Sequence, residues 1–124
     1  MRLFFYGSLR RGEANYERFT TEWPEAMHDV ASGSIRGFEL VNLGTHCSIV
    51  PGAAGATVVG DVFDVSDELF KSIEALETSY GYRRQTVEVD IGGGTSVTAD
   101  VYGFARPDEI THQPRIKSGD WKRR

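Results

Sequence analysis

The chain has 124 residues, a formal net charge of −4, and 26% charged and 40% hydrophobic residues. This length predicts a single domain over residues 1–124, and the acidic balance with only short, scattered basic pairs argues against nucleic-acid binding. The single cysteine, Cys47, excludes an internal disulfide, and no apolar run suits a signal peptide or a membrane span. We therefore expect a cytoplasmic protein with neither nucleic-acid nor membrane partners.

The first half of the chain predicts short strands separated by loops. Arg2–Tyr6 is an apolar run stopped by Gly7, which is typical of a buried strand, and Asn15 is a candidate cap for a short helix over Tyr16–Thr21. His28–Ser34 has no clear period. Further strands are predicted over three segments, namely Ile35–Leu43 (with Gly37 at a bulge or close approach), Ser48–Val50 and Thr57–Val65.

The second half predicts one strong helix followed by a hairpin. Ser66–Thr78 has a serine cap and apolar residues at helical spacing. Two alternating segments, Arg84–Ile91 and Thr95–Ala105, flank three consecutive glycines. Because a strand follows these glycines, they predict a hairpin turn and not a phosphate-binding loop. In the tail, Trp121 indicates either packing against the body or a frayed end. One strong helix, a short second helix and at least five strands indicate an α+β fold with a curved antiparallel or mixed sheet. Glycines within several strands would allow the tight curvature of a small mixed or antiparallel β-barrel.

Glu77 lies where the strong helix carries hydrophobic side chains. At about 100° per residue, Glu77 projects about 80° from Leu69. It therefore falls inside the apolar arc, which also contains Phe70, Ile73 and Leu76. Burial and the helix dipole in the last turn both raise the pKa of a carboxyl, towards the range of a general base. The alternative is that Glu77 ends a frayed helix and turns to solvent.

Two neighbouring segments could complete a polar site. The loop Tyr6-Gly7-Ser8-Leu9 follows a strand, and unpaired backbone N–H groups there can bind an anion or a carbonyl oxygen. Tyr82 follows the strong helix, and Arg83 could either pair with Glu77 or face solvent. The arginines after the loop, Arg10 and Arg11, could attract a carboxylate, but we expect them to be exposed, and exposed arginines usually only add solubility.

The histidines and the cysteine do not suggest a metal or nucleophile site. His28, His46 and His112 have no ligand spacing, and His46 and Cys47 would point to opposite faces of a strand. We expect neither a metal ion nor another cofactor.

Four segments in order along the chain resemble the gamma-glutamylcyclotransferase-like (AIG2-like) family. They are the loop Tyr6–Gly12, the strand Gly60–Val65, the helix end Ile73–Glu77 with Tyr82-Arg83 after it, and the closing Ser118-Gly119-Asp120-Trp121. Three positions differ from the family pattern: Tyr16 stands for a frequent histidine, Glu74 for aspartate, and Thr78 for glycine. Threonine adopts a left-handed helix end less readily than glycine, which bears on the aim of Glu77.

The resemblance implies a barrel with a cavity at one end, where Glu77 faces the loop Tyr6–Leu9. It further implies a cyclotransferase that releases 5-oxoproline and an amine or amino acid from a gamma-glutamyl substrate. Glu77 would be the general base, the loop would bind substrate oxygens, and Tyr82 would close the pocket, without a cofactor. Two alternatives are a non-catalytic binding module that uses the same cavity and an unrelated interaction domain. The departing amine and the oligomeric state are not indicated.

Overall fold

The structure is a computed structural model that describes all residues, Met1–Arg124. None of its helices is both long and apolar enough to cross a membrane. Seven strands and two α-helices follow one another as β1 (Arg2–Phe5), α1 (Ala14–Glu22), β2 (Met27–Arg36), β3 (Phe38–Asn42), β4 (Cys47–Pro51), β5 (Thr57–Val65), α2 (Asp67–Ser79), β6 (Tyr82–Gly92) and β7 (Thr95–Phe104), and short 3₁₀ turns cover Pro107–Glu109 and Trp121–Arg123.

Five of the strands close a barrel in the order β1-β5-β2-β6-β7. Neighbouring strands are antiparallel except β1 and β7, which run parallel and pair through Leu3 and Asp100. The remaining strands, β3 and β4, form a separate two-stranded sheet. This architecture confirms the predicted α+β fold with a small mixed barrel.

Strand β5 explains how two hydrophobic clusters arise from one alternating segment. Val58 and Val62 point into the barrel and belong to the larger cluster. Phe63 and Val65 belong to a second cluster that the two helices cover, together with Leu69 and other residues of α2. Since both faces of β5 are buried, its inward and outward hydrophobic positions do not compete for one core.

Strand β2 occupies the segment whose pattern was ambiguous. Its register with β5 shifts between Asp29 and Ala31, so a bulge interrupts the alternation of inward and outward residues. The predicted continuous strand over Ile35–Leu43 is wrong, because Gly37 separates β2 from β3. The backbone φ of Gly37 is +81°, a left-handed conformation that glycine adopts readily.

Helix α1 begins two residues earlier than predicted, at Ala14, and is not capped by Asn15. Glu13 occupies the N-cap position and its side chain makes no capping hydrogen bond. The Asn15 side chain instead donates a hydrogen bond from Nδ2 to Ser8 Oγ over 2.8 Å. This contact ties the start of α1 to the loop that follows β1.

The hairpin and the tail follow the sequence interpretation. Gly92, the last residue of β6, and the next two glycines, Gly93 and Gly94, all have positive φ values, and the turn that they form leads into β7 as predicted. Trp121 is 5% exposed and packs in the barrel cluster, so the packed alternative for the tail is correct. The Val59 N–H group donates to the Gly119 carbonyl over 2.8 Å, which holds the tail against β5.

Gly60 is required where β5 passes close to β1. A Cβ atom at this position would lie 2.5 Å from Phe4 Cζ and would also collide with the Phe5 carbonyl oxygen. We expect Gly60→Ala to lower the free energy of unfolding by about 1–3 kcal/mol or more, because backbone cannot yield as a flexible side chain can. Denaturant unfolding measures this, with Gly55→Ala as the control, since a Cβ there meets nothing within 4 Å. Equal midpoints for the two variants would contradict the prediction.

Candidate functional site

A cavity of about 510 Å³ opens where the end of β1, the end of α2 and the start of β6 meet. All six residues predicted as site residues line it, namely Tyr6, Gly7, Ser8, Leu9, Glu77 and Tyr82. The structure therefore brings the loop and the helix-terminal glutamate to a single cavity. The lining also includes residues that the sequence did not indicate, among them Asn15, Leu76, Tyr80 and Tyr102.

Helix α2 places Glu77 at the cavity. Ser66 Oγ accepts a hydrogen bond from the Leu69 N–H group over 3.2 Å at the helix start, and Leu69 and Ile73 anchor the buried face. Glu77 follows in the last turn and is half-buried, so the alternative of a frayed, solvent-facing end is wrong. Its carboxylate forms no hydrogen bond or ion pair with the protein. Burial, followed by the negative charge of Glu74, raises the pKa of Glu77 from 4.5 to about 7.

Arg83 does not neutralise Glu77. It is exposed, whereas the preceding residue, Tyr82, lines the cavity. Successive residues of a strand point to opposite faces, so a strand that presents Tyr82 to the cavity turns Arg83 away. The carboxylate is thus left without a positively charged neighbour that would lower its pKa.

Thr78 continues the helix and does not have to adopt a left-handed conformation. Helix α2 extends through Thr78 to Ser79, and the positive φ of +83° occurs at Gly81. The Gly81 N–H group donates to the Thr78 carbonyl over 3.0 Å, which ends the helix. Because Gly81, three positions later, adopts the left-handed conformation that ends the helix, threonine at position 78 imposes no strain on the orientation of Glu77.

The loop Tyr6–Leu9 is fixed by its carbonyl groups and leaves its N–H groups free. The Gly7 carbonyl accepts from the Arg10 N–H group over 3.0 Å, and the Ser8 carbonyl accepts from the Asn15 N–H group over 3.1 Å. The N–H groups of Gly7, Ser8 and Leu9 have no acceptor within the protein. Unpaired backbone donors of this kind can bind an anionic oxygen.

Arg10 is buried, which contradicts the expectation that it is exposed. It is 7% exposed, and its Nε and Nη1 atoms contact Asp61 Oδ2 over 3.3 Å and Asp120 Oδ1 over 2.6 Å. Asp61, 4% exposed, also accepts from Ser32 Oγ over 2.9 Å and from the Arg11 N–H group over 3.2 Å. We call Arg10, Asp61 and Asp120 the arginine latch, since they join the loop, β5 and the tail. In the sequence, the signal for the arginine latch was a charged residue, Asp61, among the hydrophobic positions of β5.

Three tyrosines in the cavity wall are hydrogen-bonded to the protein. Tyr6 Oη donates to the Tyr102 carbonyl over 2.6 Å, and Tyr82 Oη donates to the Cys47 carbonyl over 2.8 Å. Tyr102 Oη donates to Glu74 Oε2 over 3.0 Å. Tyr102 was missed because it alternates with the inward-facing Val101, a pattern that indicates solvent unless a helix covers that face.

Cys47 lines the same cavity without the features of a nucleophile. Burial raises the pKa of its thiol to about 12, so the reactive thiolate is scarce at neutral pH. His46 is exposed and precedes β4, which begins at Cys47, and both residues line the cavity, so strand alternation does not turn His46 away from Cys47 as predicted. No group of three or more His, Cys, Asp or Glu side chains is arranged to bind a metal ion.

The fold and the cavity together define a class of protein: a small mixed barrel in which one unpaired carboxylate shares a cavity with a glycine-containing loop. The family model described as gamma-glutamyl cyclotransferase, AIG2-like, matches residues 3–123. The chain therefore belongs to this family, as the four segments in its sequence predicted.

Relatives of similar length resemble the chain in sequence or in fold. The gamma-glutamylcyclotransferase family protein YtfP of Escherichia coli K12 is 32% identical over 122 residues, which cover 98% of this chain and 96% of the relative. The solution structure of E. coli ytfP is 29% identical, covers 98% of this chain and 96% of that one, and has a TM-score of 0.70. An AIG2-like protein from Mus musculus shares the fold with a TM-score of 0.79 at 24% identity, over 94% and 85% of the two chains.

Proposed function

We propose that the protein is a cyclotransferase that cleaves a gamma-glutamyl amide by attack of the substrate's own α-amine, releasing 5-oxoproline and an amine or amino acid. The observation that carries this proposal is Glu77, whose unpaired carboxylate has a pKa of about 7 in a cavity that it shares with free backbone donors. A carboxylate with that pKa can both take and return a proton at neutral pH. Membership of the family supports the same reaction class.

Glu77 would act on the nucleophile. The α-ammonium group of the substrate has no lone pair until it loses a proton, and Glu77 is placed to accept that proton. The free amine then forms a bond to the γ-carbonyl carbon, and the bond from that carbon to the departing nitrogen breaks. Of the three protons on the ammonium, one stays on the lactam nitrogen and two leave with the departing amine. Glu77 would relay these two in turn, and no water is consumed.

The loop would hold the negative oxygens of the reaction. The free N–H groups of Gly7, Ser8 and Leu9 suit the substrate's carboxylate or the oxyanion that forms when the carbonyl is attacked. Loss of one oxyanion donor costs on the order of 3 kcal/mol of transition-state stabilisation in other enzymes. Tyr82, which lines the cavity after α2, would close it around the substrate.

Release of 5-oxoproline from a panel of gamma-glutamyl amines, amino acids and peptides tests the reaction. We expect turnover of at least one member, with one 5-oxoproline formed for each amine released. The control is the same substrate with an acetyl group on its α-nitrogen, which cannot attack and should give no product. Amine release from the acetylated substrate would instead indicate hydrolysis. Saturable binding across the panel without any product would favour the non-catalytic binding module.

A further inference from the structure

Tyr102 extends the candidate site beyond the residues that the sequence indicated. It lies on β7, lines the cavity and is 4% exposed. Its main chain is fixed because its carbonyl accepts the hydrogen bond from Tyr6 Oη over 2.6 Å. The position of its side chain is set by a second contact, the hydrogen bond from Tyr102 Oη to Glu74 Oε2 over 3.0 Å.

Glu74 is itself held in place, so the direction of the Tyr102 proton is defined. Arg84 Nε donates to Glu74 Oε2 over 2.8 Å, and Arg84 also pairs with Asp100. An ionised carboxylate only accepts hydrogen bonds, so the proton between Tyr102 and Glu74 belongs to the phenol. A phenol has one proton, and that of Tyr102 is therefore directed at Glu74. Its oxygen keeps lone-pair capacity for an external donor.

Tyr82, like Tyr102, donates its phenol proton to a group of the protein. Its proton is directed at the Cys47 carbonyl over 2.8 Å, which leaves its oxygen as an acceptor. Burial is the main reason that the pKa of each phenol lies above its ordinary value, and the charge of Glu77 adds to both increases. Both phenols therefore stay neutral and keep these protons at physiological pH.

The part of the lining from α2, β6 and β7 thus contains Glu77, Tyr82 and Tyr102, whose carboxylate and phenol oxygens all keep acceptor capacity. No lysine or arginine lines the cavity. A group with several N–H donors and a positive charge complements such walls, whereas a carboxylate is repelled by them. The free N–H groups of the loop Tyr6–Leu9 are hydrogen-bond donors, and they suit a negatively charged group such as a carboxylate.

We propose that Tyr102, with its proton held by Glu74, accepts a hydrogen bond from the α-ammonium group of the substrate and orients that group towards Glu77. This inference rests on the proposed function, because it assigns the substrate's ammonium to one part of the same cavity. It makes Tyr102 a specificity-determining residue for substrates with a free α-ammonium, and it makes Glu74 a positioning residue that acts through Tyr102.

A pair of ligands that cannot react isolates this contact. The first is the N-propyl sulfonamide analogue of a gamma-glutamyl amide, in which a sulfonyl group replaces the reacting carbonyl. The second is the same molecule without its α-amine. We measure the affinity of both by titration calorimetry at pH 7.5, and the ratio of the two affinities reports the recognition of the ammonium group alone.

We expect Tyr102→Phe to reduce the preference for the amine-bearing ligand by about tenfold, the range for a hydrogen bond to a charged group, and to leave the affinity for the desamino ligand unchanged. Tyr82→Phe should lower the same ratio, and it keeps the test open if Tyr102→Phe does not fold. Tyr16→Phe is the matched control, because Tyr16 packs on Phe63 outside the cavity lining.

An unchanged ratio in a folded Tyr102→Phe variant, or equal losses for both ligands, would overturn the proposal. The result is separable from the proposed function, since neither ligand can be turned over. A Tyr102-dependent preference without any release of 5-oxoproline from the panel would support this inference and reject the cyclotransferase.

Discussion

Glu77→Gln is expected to lower 5-oxoproline release by about 10²- to 10⁴-fold, the usual contribution of a general acid–base group. Glutamine has nearly the shape of glutamate but cannot take a proton from the α-ammonium group. No other carboxylate lines the cavity, and the one histidine in its lining, His46, is exposed in the loop before β4. The measurement is kcat for the best substrate of the panel.

The same substitution should make the protein more stable above neutral pH. In the unfolded chain the Glu77 carboxyl ionises near its ordinary pKa of 4.5, whereas burial and Glu74 raise its pKa in the folded protein to about 7. Between these values the folded state keeps a proton that the unfolded state has released. The free energy of unfolding therefore falls as the pH rises from about 4.5 to 7, and Glu77 lowers it no further above 7.

The size of this effect follows from the shift in pKa. One pKa unit corresponds to about 1.4 kcal/mol, so the full loss is on the order of 3 kcal/mol, reduced by the solvent that reaches the half-buried side chain. Because glutamine stays neutral at every pH, the Glu77→Gln variant should not show this decrease in the free energy of unfolding. We expect the stability difference between Glu77→Gln and wild type to be small at pH 4.5 and to favour the variant at pH 8.

Glu68→Gln is the matched control for both measurements. Glu68 lies on the same helix, is exposed and does not line the cavity, so Glu68→Gln should keep wild-type turnover and should not share the gain in stability that Glu77→Gln shows at pH 8. Wild-type turnover in Glu77→Gln would remove Glu77 as the base. A variant that is inactive but less stable than wild type at pH 8 would show a structural defect in place of a lost base.

The helix α2 and the position of Glu77 could be read from the sequence because the relevant information is local. A serine cap, four apolar residues at helical spacing and one glutamate within their arc determine which way that side chain faces. The hairpin after β6 could also be predicted, since three consecutive glycines between two alternating segments are typical of a hairpin turn. The pKa of Glu77 followed in direction from the same local pattern.

Features that depend on contacts between segments far apart in the sequence could not be predicted from it. The bulge in β2 hides its alternation, and its register is set by β5, which lies more than twenty residues away. Tyr102 looks solvent-facing on an isolated strand and becomes part of the cavity only when α2 covers that face. The free N–H groups of the loop were anticipated, but which carbonyls fix the loop depends on how α1 docks.

The arginine latch is the clearest case of a feature that only the fold reveals, and Arg10→Met tests its energetic role. The substitution keeps an unbranched apolar stem but removes the charge that faces Asp61 and Asp120, leaving two carboxylates without their shared partner. Removing one partner of a buried ion pair typically costs about 3–5 kcal/mol, since the remaining charge stays desolvated. We expect a loss of that size in the free energy of unfolding, measured by denaturant titration.

Arg11→Met is the natural comparison, because Arg11 is the next residue of the same loop. Its side chain is 49% exposed and pairs with Asp29, which is 51% exposed, so removing it should cost less than about 1 kcal/mol. The double variant Arg10→Met with Asp61→Asn should be less destabilised than the sum of the single variants, because neutralising Asp61 removes part of the uncompensated charge. Equal losses for Arg10→Met and Arg11→Met would show that burial of the latch contributes nothing. Arg10 directly follows the loop Tyr6–Leu9. A loss confined to Arg10→Met would mean that the anchoring of this cavity wall depends on two ion pairs, one with Asp61 in β5, 51 positions away, and one with Asp120 in the tail, 110 positions away.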